Sequence, residues 1–122
     1  MERWTITEAS DGRYRLHINH GGKPFWCMFD FTVRPAPGCD GVEFVLASDA
    51  DPMSAEWFPH LHRGMLCGLD TARVHGRVWA GARVEVRKVH THPIDTTARG
   101  CEFYGFNFVL DVLPCRGVRL SE

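Results

Sequence analysis

His90 and His92 stand two residues apart in Val89-His90-Thr91-His92-Pro93-Ile94-Asp95-Thr96-Thr97, a segment that alternates like a strand and then turns. Side chains two apart on a strand share a face, so the two imidazoles have the spacing of a pair of metal ligands. Asp95 or Cys101 is a conceivable third. The same residues admit nucleophilic chemistry, with Cys101 or Thr96 attacking and His90 or His92 as base. Neither arrangement carries a signature: no nucleophile elbow or close cysteine pair accompanies it. The expectation is therefore no bound metal, no cofactor and no catalytic residue. His60 and His62 lie roughly 200° apart on a helix and cannot chelate together from regular positions. His17, His20 and His75 sit among polar residues and read as surface. Asp49 and Asp51 resemble paired acids, but Asp51 before Pro52 reads as a turn residue.

A third chemistry is contact with phosphate and base. Net charge is only −1, which argues against a protein that binds nucleic acid through overall charge. The charge is unevenly placed, however. From Arg73 to Arg99 there are six basic residues (Arg73, Arg77, Arg83, Arg87, Lys88, Arg99) against two acids (Glu85, Asp95). The bland reading is a solvated strand face with scattered arginines. Lys23, Arg87, Lys88 and Arg99 suit phosphates, while histidines stack on bases and hydrogen-bond to them.

These residues need a scaffold, and 122 residues make one domain, 1–122, with a real core. Hydrophobic content of 44% and charge of 24% are ordinary for a globular chain. No apolar run approaches the roughly 20 residues of a membrane span, and Met1-Glu2-Arg3-Trp4-Thr5 is not a secretory start. A cytoplasmic protein without a membrane partner is expected. Five cysteines, an odd number without close pairing, read as reduced, mostly packed thiols.

Strands are expected from Trp4 to Glu8, then, after a turn at Asp11-Gly12, through Tyr14, Leu16 and Ile18 to a break at Gly21-Gly22. Another runs from Phe25 to Val33, with Cys27, Phe29, Phe31 and Val33 on one face. A loop from Pro35 to Gly41 leads to Val42, Phe44 and Leu46, antiparallel to its neighbour if the connection is a hairpin. Pro59 suits a first helical position, followed by the buried face Leu61, Gly64, Met65, Gly68 and Leu69, with an end near Asp70. The two glycines should face the sheet. A strand from Arg83 to Val89 precedes a second helix from Thr96 to Leu113, capped by Thr96 or Thr97 and stopped by Pro114. Its face is Phe103, Phe106, Val109, Leu110 and Leu113, which reads as core rather than a cofactor wall. Val118 and Leu120 add a short strand. Strands then helices make an α+β two-layer sandwich, mainly antiparallel, with two helices on one face.

Glu56-Trp57-Phe58-Pro59-His60-Leu61-His62-Arg63-Gly64-Met65 resembles the first helix of domain IV of the ribosomal translocases, elongation factor G and its archaeal and eukaryotic counterparts. Gly22-Lys23-Pro24-Phe25-Trp26-Cys27-Met28-Phe29-Asp30-Phe31, Gly41-Val42-Glu43-Phe44-Val45, Ala80-Gly81 and Thr96-Thr97-Ala98-Arg99-Gly100-Cys101 resemble family segments in the same order. The resemblance implies a fold shared with a domain of a small-subunit ribosomal protein, including a left-handed crossover. It also implies a tip of His90, Thr91, His92, Asp95 and Thr96, beside a loop of Gly21, Gly22 and Lys23, that contacts the ribosome or structured RNA. No GxxxxGK[ST] phosphate loop is present, so the translocase GTPase chemistry and a bound nucleotide are not expected. Two competing readings are a small metal- or thiol-dependent enzyme using His90, His92 and Cys101, and an adaptor that docks a protein on its exposed sheet face or on a Trp26–Met28 surface.

Overall fold

The computed structural model describes residues 1–20 and 23–120, and the side chains of residues 16–25 lie outside that description; so do the expected break at Gly21-Gly22 and the surroundings of His17, His20 and Lys23. The chain runs β1 (Glu2–Thr5), β2 (Ser10–His20), β3 (Lys23–Pro35), β4 (Val42–Leu46), α1 (Pro52–Val74), β5 (Arg77–Trp79), β6 (Ala82–Thr91) and α2 (Ala98–Asn107). A π-helical turn (Phe108–Val112), α3 (Leu113–Arg116) and β7 (Val118–Leu120) complete it. This is an α+β two-layer domain. A four-stranded sheet in the order β2-β3-β6-β4 carries the helices, and a small sheet β5-β1-β7 closes one end.

Alternation builds the core. Phe29, Phe31 and Val33 of β3 and Val84, Val86 and Val89 of β6 are buried against Leu61 and Met65 of α1. Phe108 stands over Phe29 and Phe31, with ring centroids 5.2 Å and 4.8 Å away. Apolar burial at roughly 25 cal/mol per Å² makes this layer the main source of stability.

Several local expectations are corrected. Asp11 and Gly12 do not turn but belong to β2, because the Phe31 ring and the Arg116 guanidinium occupy the place of a side chain at Gly12. β4 is not a hairpin partner of β3; it lies parallel to β6, with α1 and β5 in the connection. The sheet is therefore mixed at that edge. α1 begins at Pro52, not Pro59. Asp51 caps it by accepting from Ser54 N–H at 2.7 Å, and Pro52 takes the early position where no N–H is needed. Pro59 lies inside the helix, where it and Ala55, whose carbonyl it leaves without a helical partner, are both exposed to water. The helix also runs on past Asp70 to Val74.

Gly64 and Gly68 face α2 and the π-helical turn rather than the sheet. A Cβ on Gly64 would meet the Glu102 carbonyl, and one on Gly68 would lie 2.8 Å from Val109 Cβ. The second helix starts at Ala98 with Thr97 as its cap. Phe103, expected inside, is exposed. Pro114 does not end the helical course. Leu113 N–H returns to the Phe108 carbonyl in a wide turn, and Pro114 then sits in the first turn of α3.

Candidate nucleic-acid interface

The side of the four-stranded sheet away from the helices is a grid set by strand register. One row is Arg13, Asp30 and Lys88, and the next is Arg15, Met28 and His90. Buried Cys27 and Phe29 point inward, so Trp26, Met28 and Asp30 point to the open side. Register slips between Asp30 and Phe31, where Asp30 opposes Lys88 and Phe31 opposes Val86. Arg87 is the extra residue of this bulge, and such a residue re-aims its side chain. Arg87 and Lys88 are both exposed, and they line an open cleft of about 450 Å³ with Asp30, Asp49, Asp51 and Glu85.

The carboxylates of that cleft are mostly engaged. Asp30 accepts from Arg13 Nε at 2.6 Å and pairs with His90 Nε2 at 3.0 Å. The Arg13 guanidinium, helped by His90, holds the Asp30 carboxyl below its usual range. Asp51 caps α1, and the hydrogen bond from Ser54 N–H holds its carboxyl below the usual range as well. Glu85 lies 3.6 Å from Arg34. Elsewhere Arg63 pairs with Glu102, Arg73 with Asp70, Arg77 and Arg119 with Glu2, and Arg83 with Glu43. Among the described residues, Arg15, Arg87 and Lys88 have no ion-pair partner.

The loop after β6 is held from within. Thr96 is buried; its hydroxyl donates to the Trp26 carbonyl at 2.7 Å and accepts from His92 N–H at 2.7 Å. Trp26 N–H donates to the Asp95 carbonyl at 3.2 Å, so the loop extends the edge of β3. His92 is exposed, but its Nδ1 accepts from the N–H groups of Ile94 and Asp95 at 3.2 Å and 3.1 Å. That nitrogen is thereby spent on the loop itself. Next to the strand end, Ser54 Oγ accepts from Val89 N–H at 2.9 Å and ties α1 to β6.

The expected site residues therefore separate. Arg87, Lys88 and His90 share the open sheet side, with exposed His92 and half-buried Asp95 in the adjoining loop. Thr96 is structural. Thr91 pairs with inward-facing Cys27 and points to the helix side. Arg99 is exposed on α2 and lines a different groove, with Cys67 and Phe103, on the helix layer. Lys23 opens β3, and its side chain lies outside the described residues. Arg15 was not expected: it is remote in sequence and joins the site only through β2–β3 pairing. Alternation through Arg13 and Arg15 was the available signal.

No family model matches the chain, and no curated protein matches it. A crystal structure of a protein from Thermus thermophilus, whose name states no activity, superposes with a TM-score of 0.68 at 16% identity. The match covers 97% of this chain and 18% of that one. The likeness is one of fold. The chain thus spans about 18% of the length of the protein it resembles.

The chemistry of the competing readings is constrained by burial. Cys101 is fully buried on α2, with its Sγ 3.7 Å from Cys27 Sγ. That thiol contact and burial push the Cys27 thiol strongly upward. The Cys27 thiol is thereby kept in its neutral form, and both sulfurs are buried out of reach of a substrate, so an accessible thiolate nucleophile is not supplied by this pair. Among the described residues, no three His, Cys, Asp or Glu side chains gather in a way that would hold a metal. No described helix is long and apolar enough to cross a membrane.

Proposed function

We propose that this domain is a non-catalytic RNA-binding module of the translocase domain IV kind, working in the cytoplasm and engaging the ribosome or another structured RNA. The open side of the four-stranded sheet, where β6 meets its tip loop, is the contact surface. One observation supports the reading: Arg87 and Lys88 project together at a bulge without an ion-pair partner among the described residues, while most other described arginines pair with carboxylates. Cations left free on one surface of a nearly neutral protein supply attraction to phosphate without binding it everywhere.

Co-sedimentation with purified ribosomal subunits, and titration with a structured RNA at rising salt, test this. Binding should strengthen as salt falls, because each neutralised phosphate releases counterions. Arg87→Glu with Lys88→Glu should abolish it at moderate salt, and Arg87→Ala with Lys88→Ala should lower the log–log salt slope by about 2. Arg3→Glu with Arg119→Glu, on the small sheet, should leave it nearly intact. Absence of binding even at low salt, or equal loss from both pairs, would refute the proposal.

A further inference from the structure

Resting on the RNA-binding reading, we propose that the open sheet side seats an unpaired cytosine-type base on Trp26 and Met28 and reads its exocyclic amine with His90. The row Arg15, Met28, His90 places a cation, an apolar side chain and an imidazole across three adjacent strands. Trp26 lies two residues along β3 on the same side, half-buried. Apolar and aromatic side chains on a sheet are a stacking platform for any base. Arg15, without an ion-pair partner among the described residues, stands at the edge where a phosphate would follow the base.

His90 supplies the reading because Asp30 fixes its protons. Asp30 takes two hydrogen bonds from Arg13, at 2.6 Å and 3.3 Å, and is an anion at neutral pH. A carboxylate anion only accepts, so the Nε2 held 3.0 Å from it carries the hydrogen. In the neutral imidazole Nδ1 is then an acceptor. Nδ1 has no partner among the described residues, and it is not among the buried atoms that lack one. The His90 side chain keeps 22% of its surface exposed, in the same row as Met28. An acceptor there welcomes the N4 amine of cytosine and opposes the O4 carbonyl of uracil, which is itself an acceptor. The two rings stack over similar areas, so this one position separates them. In a duplex the amine is already paired and the base face covered, so the base must come from a loop, bulge or single strand.

Fluorescence anisotropy with three labelled RNAs tests the proposal: hairpins of one stem with a cytidine loop or a uridine loop, and a blunt duplex. The cytidine hairpin should bind about five-fold more tightly than the uridine hairpin, the worth of one hydrogen bond. His90→Phe should erase that ratio, and Asp30→Asn, which frees the imidazole to change tautomer, should reduce it. Trp26→Leu, which keeps an apolar side chain but removes the indole ring, should weaken both hairpins and spare the duplex. Equal affinity for the two hairpins, or a preference that survives His90→Phe, overturns the base reading. If that happens while Arg87→Glu with Lys88→Glu still abolishes hairpin binding, the phosphate site stands alone. If no RNA binds at low salt, both readings fall.

Discussion

Gly64→Ala is the sharpest test of how the helices are seated. α1 and α2 cross at two glycines, Gly64 against the backbone of Glu102 and Gly105 against that of Leu61. A methyl at position 64 would overlap the Glu102 carbonyl and lie 2.7 Å from its carbon and 2.9 Å from its Cα. Carbon–carbon contacts are ordinarily about 3.5–4.0 Å, so the helices must part by roughly 1 Å. The obstacle is backbone inside a helix and cannot rotate aside. Overpacking costs about 1–3 kcal/mol, and a rigid obstacle puts this site at about 3. Alanine returns about 1 kcal/mol of helix propensity, which leaves about 2 kcal/mol of net destabilisation. For a domain of this size that is a fall in Tm of about 8 °C. Urea unfolding followed by circular dichroism measures it, with Gly38→Ala, which meets nothing within 4 Å, as the neutral control. Gly68→Ala should fall between them, because its obstacles are Val109 Cβ at 2.8 Å and the Phe106 carbonyl at 3.0 Å. A Gly64→Ala midpoint equal to or above that of the parent would show that this crossing is not the one described.

Asp51→Ala removes the cap of α1 and should lower the midpoint in the same unfolding assay, while Asp51→Asn, which still caps, should keep most of it. Thr96→Val leaves the Trp26 carbonyl and His92 N–H without their hydroxyl partner, so roughly 1–3 kcal/mol should be lost. Amide hydrogen exchange at His92 should quicken in that variant, and unchanged protection would contradict the bond. Tyr14 and Tyr104 are pushed up to about 12, burial being the largest cause. The folded state thus favours their neutral form, so their contribution is full below the usual value near 10 and is lost as pH rises towards 12. Ultraviolet titration should show two phenols ionising late, together with falling stability over that alkaline range.

Of the surfaces the adaptor reading offers, Trp26 and Met28 are half-buried, and Met28 stands in its row between Arg15 and His90. The large exposed apolar side chains include Leu66 and Phe103 on the helices and Ile94 in the tip loop.

Alternation at Phe29, Phe31 and Val33, and at Val84 and Val86, was enough to place two strands and the side of each that is buried. The recurrence of Leu61 and Met65 was likewise enough to identify a helix and its inner face. These patterns are legible because the period of each element is a property of its own backbone geometry, and burial of one side writes that period into the side chains. The two-layer α+β class follows from their order along the chain. Strand partners are different, since one N–H pairs as well with one carbonyl as with another. Nothing in Val42, Phe44 and Leu46 specifies a parallel neighbour in β6, and nothing in Glu2–Thr5, Arg77–Trp79 and Val118–Leu120 announces a shared second sheet. Only tertiary structure brought Arg15 to His90, engaged Thr96 with the Trp26 carbonyl and carried Arg99 to another surface. The same holds for Gly64: its position on the inner face of α1 was legible, but the obstacle it avoids is the carbonyl of a residue 38 positions away, and that meeting is made by the fold.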